Sequence, residues 1–182
     1  MNIRQADISD AQAMARIHVD CWKQAYEGIL PEDLLRSLSY EDRAKRWEEN
    51  IEEATSGGSM IYVAEDPELG VIGFVLGGTM RDATMRMRYT GEIYGIYVWP
   101  RYQRMGIGRA LFEKMAAFLD AIHHARAGVW ILADHPDRPF FEKLGAEEVY
   151  KKNEKVRDAD HVTLAYGIED LSAFAEDTSS GA

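Results

Sequence analysis

The chain of 182 residues has a single cysteine, Cys21. No internal disulfide framework can therefore hold it, and a reducing, cytoplasmic setting is expected. No apolar run approaches the roughly 18 residues that a membrane-crossing helix needs. Asp7, Asp10 and Arg16 interrupt the N-terminal stretch where a secretory signal would be apolar, so no signal peptide is expected. Positive charge is in deficit, with 21 Lys and Arg against 31 Asp and Glu, a net charge of −10. That balance argues against nucleic acid or an anionic membrane as a partner, and leans toward small cations such as amines. His123 and His124 are adjacent and point in different directions on a helix, while His18 and His161 have no neighbours at ligand spacing. No metal site is expected. Repeats and low-complexity tracts are also missing. What is present is a well-mixed composition, 46% hydrophobic, long enough for one domain with a buried core.

Periodicity divides this domain into elements. Residues 2–6 read as a short strand, and Ser9 with Gln12 forms a capping-box pattern. Ala13, Met14, Ile17, Cys21, Trp22 and Ala25 then lie on one stripe of a first helix, which Gly28 stops. Pro31 opens a second helical region carrying Leu34, Leu35, Leu38 and Trp47, and the Ser56–Ser59 segment ends that layer. Strands follow over Met60–Glu65, Val71–Thr79 and Glu92–Trp99. Arg81, Arg86 and Arg88 alternate with Met85 and Met87 as on a half-buried hairpin strand. Ile107, Leu111, Met115, Phe118, Leu119 and Ile122 mark an amphipathic helix. Val129–Leu132 is a buried strand, Phe140–Leu144 a short helix ended by Gly145, and strands near 147–151 and 160–166 close the domain. The predicted order is β-α-α-β-β-β-α-β-α-β-β over residues 1–168, with an acidic tail at 169–182 expected to fray.

The segment Glu92-Ile-Tyr-Gly-Ile-Tyr-Val-Trp-Pro-Arg-Tyr-Gln-Arg-Met-Gly-Ile-Gly-Arg-Ala-Leu111 has the grammar strand, tight glycine turn, helix. Such a turn aims unpaired N–H groups from the positive end of the helix dipole at one point, an anion site suited to phosphate. Gly106 and Gly108 bring no Cβ to it, and Arg104 and Arg109 add charge. A Walker loop would need Lys and Ser/Thr after Gly108, and a dinucleotide fingerprint a third glycine where Leu111 stands. A nucleotide-binding module is thereby disfavoured.

Gln103, Gly106 and Gly108 resemble the Gln/Arg-x-x-Gly-x-Gly/Ala hallmark of the GNAT superfamily of N-acetyltransferases. Val129–Pro136 followed by Phe140-Phe-Glu-Lys-Leu-Gly-Ala146 is similar to that family's next strand and short helix. Ile3-Arg-Gln-Ala6 through Trp22, with Tyr26-Glu-Gly-Ile-Leu-Pro31, resembles the start of many bacterial members. The resemblance runs from about residue 2 to 166 and implies a mixed α/β, GNAT-like fold, a central twisted, mostly antiparallel sheet flanked by helices. It implies acetyl-CoA as co-substrate, with Ile96, Tyr97 and Val98 pairing with the pantetheine arm as an added strand. Gln103, Arg104, Met105, Gly106, Ile107, Gly108 and Arg109 would grip the pyrophosphate, with His135 and Phe141 as further cofactor contacts. The acceptor would be a small-molecule or protein amine, near Tyr26 and Tyr94. Family members often pair through their C-terminal strands, so a homodimer is an arrangement the resemblance allows.

Glu92 stands eleven residues before Gln103, the position of the base in the histone-acetylating branch, which makes it the candidate proton acceptor. A base or water relay is needed because a lysine-like amine has a pKa of about 10.4. A backbone N–H near Tyr97 would polarise the thioester carbonyl. Many members carry a tyrosine, thought to protonate the leaving thiolate, where this chain has Phe141, which has no proton to give. Tyr94, Tyr97 or Tyr150 would then donate, or the thiolate leaves unassisted, or the chain is a non-catalytic acyl-CoA-binding domain.

Overall fold

The computed structural model describes residues 1–54 and 58–174. Strand β1 (Asn2–Gln5) leads through a 3-10 turn at Ile8–Asp10 into helix α1 (Ala11–Tyr26). The capping box falls on Asp7 and Asp10 rather than on Ser9 and Gln12. Asp7 accepts from the Ser9 N–H, and Asp10 accepts from the Asp7 N–H at 2.9 Å. Arg4 explains the choice, because it holds the buried Asp10 carboxylate at 2.7 Å while also reaching Glu65 at 3.1 Å. The predicted stripe buries Met14, Ile17 and Cys21, and Gly28 turns the chain away at φ 74°. The single second helix expected from the sequence is two, α2 (Glu32–Arg36) and α3 (Tyr40–Ala54). Serines divide them: Ser37 donates to the Leu34 carbonyl at 2.7 Å, and Ser39 accepts from the Asp42 N–H at 3.2 Å. Ser56 and Gly57 of the expected loop lie outside the described residues.

The other strands are β2 (Ser59–Asp66), β3 (Gly70–Thr79), β4 (Gly91–Val98), β5 (Ala127–Leu132), β6 (Glu147–Val156) and β7 (Ala159–Ile168). They form one seven-stranded sheet in the order β1-β2-β3-β4-β5-β7-β6. Every join is antiparallel except β4 with β5. The sheet and its flanking helices are the mixed, mostly antiparallel architecture that the sequence predicts. The arginine segment before β4 departs from the expected strand. Asp82 accepts from the Thr84 and Met85 N–H groups and winds a 3-10 turn over Met85–Met87. Met85 is buried by that turn and Met87 is left 91% exposed. The last two strands form a longer hairpin than expected, closed by Arg157 in a left-handed conformation.

Helices α1 and α3 cover one face, where Met14, Ile17, Trp47, Val63 and Phe74 pack together. On the other face α4 (Ile107–Ala121) and α5 (Arg138–Lys143) bury Leu111, Met115, Leu119 and Phe141 against Val75, Ile93, Val129 and Leu164. The tail joins this second core instead of fraying from 169. Leu171 is fully buried, its N–H donates to the Ala125 carbonyl, and Phe174 packs on Phe112. Residues 175–182 lie outside the described residues.

Strand β4 touches β5 only at Gly91↔Ala127 and Glu92↔Gly128. Beyond Glu92 the two strands separate, and the sheet opens into a gap that points toward the start of α4.

Candidate active site

The gap ends at the predicted turn. Gly106 caps α4 at φ 84° and Arg104 is also left-handed, at φ 64°. Two left-handed residues so close together curl the backbone into a concave turn of N–H groups. The first intrahelical bond runs from the Ala110 N–H to the Gly106 carbonyl, which leaves the N–H groups of Ile107, Gly108 and Arg109 without intrahelical acceptors. A Cβ built on Gly106 meets nothing within 4 Å, so the space before the helix is open. At Gly108 a Cβ would stand 3.4 Å from the Phe140 ring. That glycine brings α5 against α4, and the freedom from a Cβ facing an anion belongs to Gly106. Arg109 is paired with Glu113 at 2.7 Å, so the unpaired positive charge here is Arg104 and the helix dipole.

The gap is lined by backbone. The Trp99 N–H donates to the Ile72 carbonyl at 2.9 Å, and alternate residues of an antiparallel strand face alternate sides. Ile96 and Val98 therefore turn their N–H and C=O groups away from β3, into the gap. Gln103 donates its side-chain amide to the Val98 carbonyl at 3.0 Å, and the Cys21 thiol reaches the same oxygen at 3.2 Å. Gln103 thus ties the end of the strand to the turn. Burial pushes the Cys21 thiol up to about 12, with Asp20 and Asp137 adding to it, so it stays protonated and unreactive. The backbone of Tyr97 faces β3, where it is registered with Phe74.

Glu92 sits where β4 and β5 part and is 2% exposed. Arg81 holds both of its oxygens: the guanidinium donates to Oε1 at 2.7 Å, and the Arg81 backbone N–H donates to Oε2 at 2.8 Å. The pairing raises the Arg81 pKa, and Arg81 in turn lies 3.9 Å over the Tyr94 ring. The Tyr94 hydroxyl donates to the Thr79 carbonyl at 2.7 Å. A bulge at Tyr94, opposite the step from Leu76 to Gly77, re-aims the strand just past Glu92.

Beyond the bulge Tyr97 crosses to the α1 side. Its ring stacks on Phe74 at 4.8 Å and lies 4.6 Å from His18. Trp22 and Tyr26 continue this aromatic row, and Tyr26 meets His135 edge-on at 5.0 Å. Burial raises the Tyr26 and Tyr97 phenols and lowers the His135 imidazole, whose Nδ1 accepts from the Asp137 N–H at 3.1 Å. Among the described residues no group of three or more His, Cys, Asp and Glu could hold a metal ion.

The Acetyltransferase (GNAT) family profile matches residues 12–146. The chain belongs to the GNAT family of acetyltransferases. It is 32% identical over 174 residues, 96% of each chain, to the uncharacterized N-acetyltransferase YuaI of Bacillus subtilis (strain 168). Its fold is similar to that of an N-acetyltransferase from Staphylococcus aureus Mu50, with a TM-score of 0.71, 21% identity and coverage of 93% of this chain and 98% of that one. A second similar fold is yncA of Salmonella typhimurium, solved with its cofactor acetyl-CoA, at a TM-score of 0.68 and 20% identity over 93% of each chain.

Within this GNAT frame the residues picked out by sequence fall into two groups. Glu92, Ile96, Val98, Gln103 and the 104–109 turn line one continuous path from the opening of the sheet to α4. Tyr26, Tyr97 and His135 gather on the α1 side of that path. Phe141 stands apart, buried in the core beside Phe140 and Tyr166. Of the substitute proton donors, Tyr94 has its hydroxyl committed to Thr79, and Tyr150 lies on Trp130 across the sheet. Tyr97 alone stands beside the gap. Sequence reasoning missed three residues here. Alternation with methionine places Arg81 on a half-buried hairpin strand, His18 has no neighbour at ligand spacing, and no pattern marks Arg43. The apolar stripe around His18 was the available signal, because a histidine there must be buried.

Proposed function

We propose that this GNAT enzyme transfers acetyl from acetyl-CoA to a primary amine within a ternary complex. The observation that carries the reading is the opened sheet, whose β4 edge has no strand partner beyond Glu92 and runs directly to a helix N-terminus with an open anion cradle. Acetyl-CoA supplies a thioester whose carbonyl carbon the amine attacks as the C–S bond breaks and the CoA thiol leaves. Both backbone groups of Ile96 and the N–H of Val98 offer an edge to the pantetheine amides, and the 104–109 turn offers N–H groups to the pyrophosphate. Because the Tyr97 N–H faces β3, the donor that polarises the carbonyl is the N–H of Ile96 or Val98. Glu92 accepts the amine proton through water, since Arg81 occupies both its oxygens at short range. Tyr97 returns a proton to the departing thiolate, in the role that Phe141 cannot fill.

The loss of the hydroxyl at Phe141 also favours a second reading, an acyl-CoA-binding regulatory domain. One experiment separates the two: calorimetric titration of acetyl-CoA, then a thiol-release assay over amino acids, polyamines, aminoglycosides and peptides. Binding with turnover is expected. Binding without turnover on any amine supports the regulatory reading, and no binding at all defeats both.

A further inference from the structure

Between α1, α3 and β4 the protein leaves polar atoms unmatched. Both ring nitrogens of His18 and the indole nitrogen of Trp47 are buried with no hydrogen-bond partner, in residues only 6% and 3% exposed. Buried donors and acceptors are almost always satisfied, so each exception calls for an account. Arg43 lies one helical turn before Trp47 on the same side of α3. It is half-buried and, among the described residues, has no ion-pair partner. Burial lowers its pKa, opposed by Tyr97. Burial, helped by the charge of Arg43, pushes His18 down to about 3, so the imidazole is neutral.

The chemistry of these groups specifies their missing partner. A guanidinium has five donors and no acceptor, an indole one donor only, and a neutral imidazole one of each. Buried donors beside an uncompensated positive charge call for an anion that only accepts, which a carboxylate does. Among the described residues no side chain hydrogen-bonds to the His18 or Trp47 nitrogens. Asp20, the nearest carboxylate along α1, is held by Trp99 Nε1 at 2.9 Å and by the Tyr40 hydroxyl at 2.7 Å. Tyr97 stands between these groups and the gap, with His18 against its ring and the gap-facing Ile96 and Val98 on either side of it in the strand. Trp22 and Tyr26 extend the wall toward His135.

We propose that the acceptor is an amine that also bears a carboxylate, an amino-acid-like molecule, and that Arg43, with Trp47 and His18 beneath it, receives that carboxylate. The proposal rests on the acetyl-transfer reading and specifies its substrate class. It reverses the lean toward cationic acceptors drawn from net charge, because the field at the site is set by one unpaired guanidinium and not by the surface total. Arg43 is a specificity residue that positions the acceptor and takes no part in the proton transfers.

The test uses matched pairs of amines, each amino acid beside its carboxamide, with the wild-type chain, Arg43→Met and Arg43→Lys. The wild type is expected to favour the carboxylate member by roughly tenfold or more in kcat/KM, the loss typical of a charge-assisted contact. Arg43→Met should raise KM for that member by a similar factor with kcat nearly unchanged, and should leave carboxamide kinetics and acetyl-CoA affinity as they were. Arg43→Lys should restore part of the preference, since it keeps the charge and loses the planar fork. Equal rates on both members of every pair overturn the proposal, as does an Arg43→Met effect that is the same for both. If the wild type acetylates no amine, the acetyl-transfer reading fails instead. Tryptophan fluorescence then decides the pocket: quenching by N-acetylated amino acids but not their amides, lost in Arg43→Met, upholds it, and quenching without that distinction overturns it. If Arg43→Met does not fold, Arg43→Lys and the wild-type pair comparison carry the same decision.

Discussion

Gly106 and Arg104 both hold the backbone in the left-handed region, and only one of them is a glycine. Replacing Gly106 by alanine adds a methyl that meets no protein atom, so the cost to folding is the left-handed strain alone, about 1–2 kcal/mol. The same methyl projects into the space an anion would fill. Gly106→Ala should therefore weaken acetyl-CoA binding about tenfold or more, read by calorimetry, while the thermal transition falls only slightly; unchanged affinity would remove the turn from the cofactor site. Glu92 makes a prediction of a different form. Without an acceptor for its proton, the amine reacts only through its spontaneously neutral fraction, which falls about tenfold with each pH unit below its pKa. The deficit of Glu92→Gln should accordingly be deepest at low pH and shrink as pH rises, and a constant deficit across pH 6–9 would take Glu92 out of the chemistry. Gly106 stands out because strand, Gly-x-Gly and helix form one local pattern, and Glu92 is a candidate through its place in the family the chain resembles. Arg81 does not stand out, since its partner lies across a hairpin and the alternation of Met and Arg in the intervening segment mimics a strand. His18 and Arg43 sit on different helices, and no spacing rule joins them.

At the scale of the element, periodicity served best where one face is buried and the caps are unambiguous. Helix α4 runs between a glycine cap and a short polar stop, and its apolar stripe was read correctly from Ile107 to Leu119. Errors gathered where competing side chains decide a boundary, as with the serines that separate α2 from α3, or Asp7 and Asp10 taking the cap from Ser9. Residues 169–174, the described part of the tail, depart from expectation for another reason. The tail's composition is acidic and suits solvent, yet two apolar residues within it find the open end of the second core. Leu171→Ala should cost about 2–5 kcal/mol of unfolding free energy in urea, the usual result of emptying a fully buried leucine site. A loss below about 0.5 kcal/mol, the range of surface substitutions, would mean that the tail is only loosely attached.

For the molecule as a whole, the neutral His18 couples stability to acidity. Its pKa is about 6.5 unfolded and is lowered to about 3 by burial in the native state. Between those values the unfolded chain binds a proton that the native chain refuses, so stability is complete above about pH 6.5 and declines as pH falls. The decline from this one group approaches about 1.4 kcal/mol per pH unit. Urea midpoints at pH 7, 6 and 5 should show it, and His18→Phe should flatten the slope relative to wild type; identical slopes would place the acid sensitivity elsewhere.

Strands β1 to β4 form one hydrogen-bonded leaf and β5 to β7 another, and just two register pairs join them. What makes the leaves a single body is oil rather than backbone, because the core under α4 draws on Ile72, Val75 and Ile93 from one leaf and on Val129, Ile131 and Leu164 from the other. The angle between the leaves is therefore set by hydrocarbon volume. An exchange of leucine for valine or methionine along α4 would act as a shim, opening or narrowing the slot without breaking a rung of either ladder, so the width of the slot can drift over evolution while the fold stays as it is.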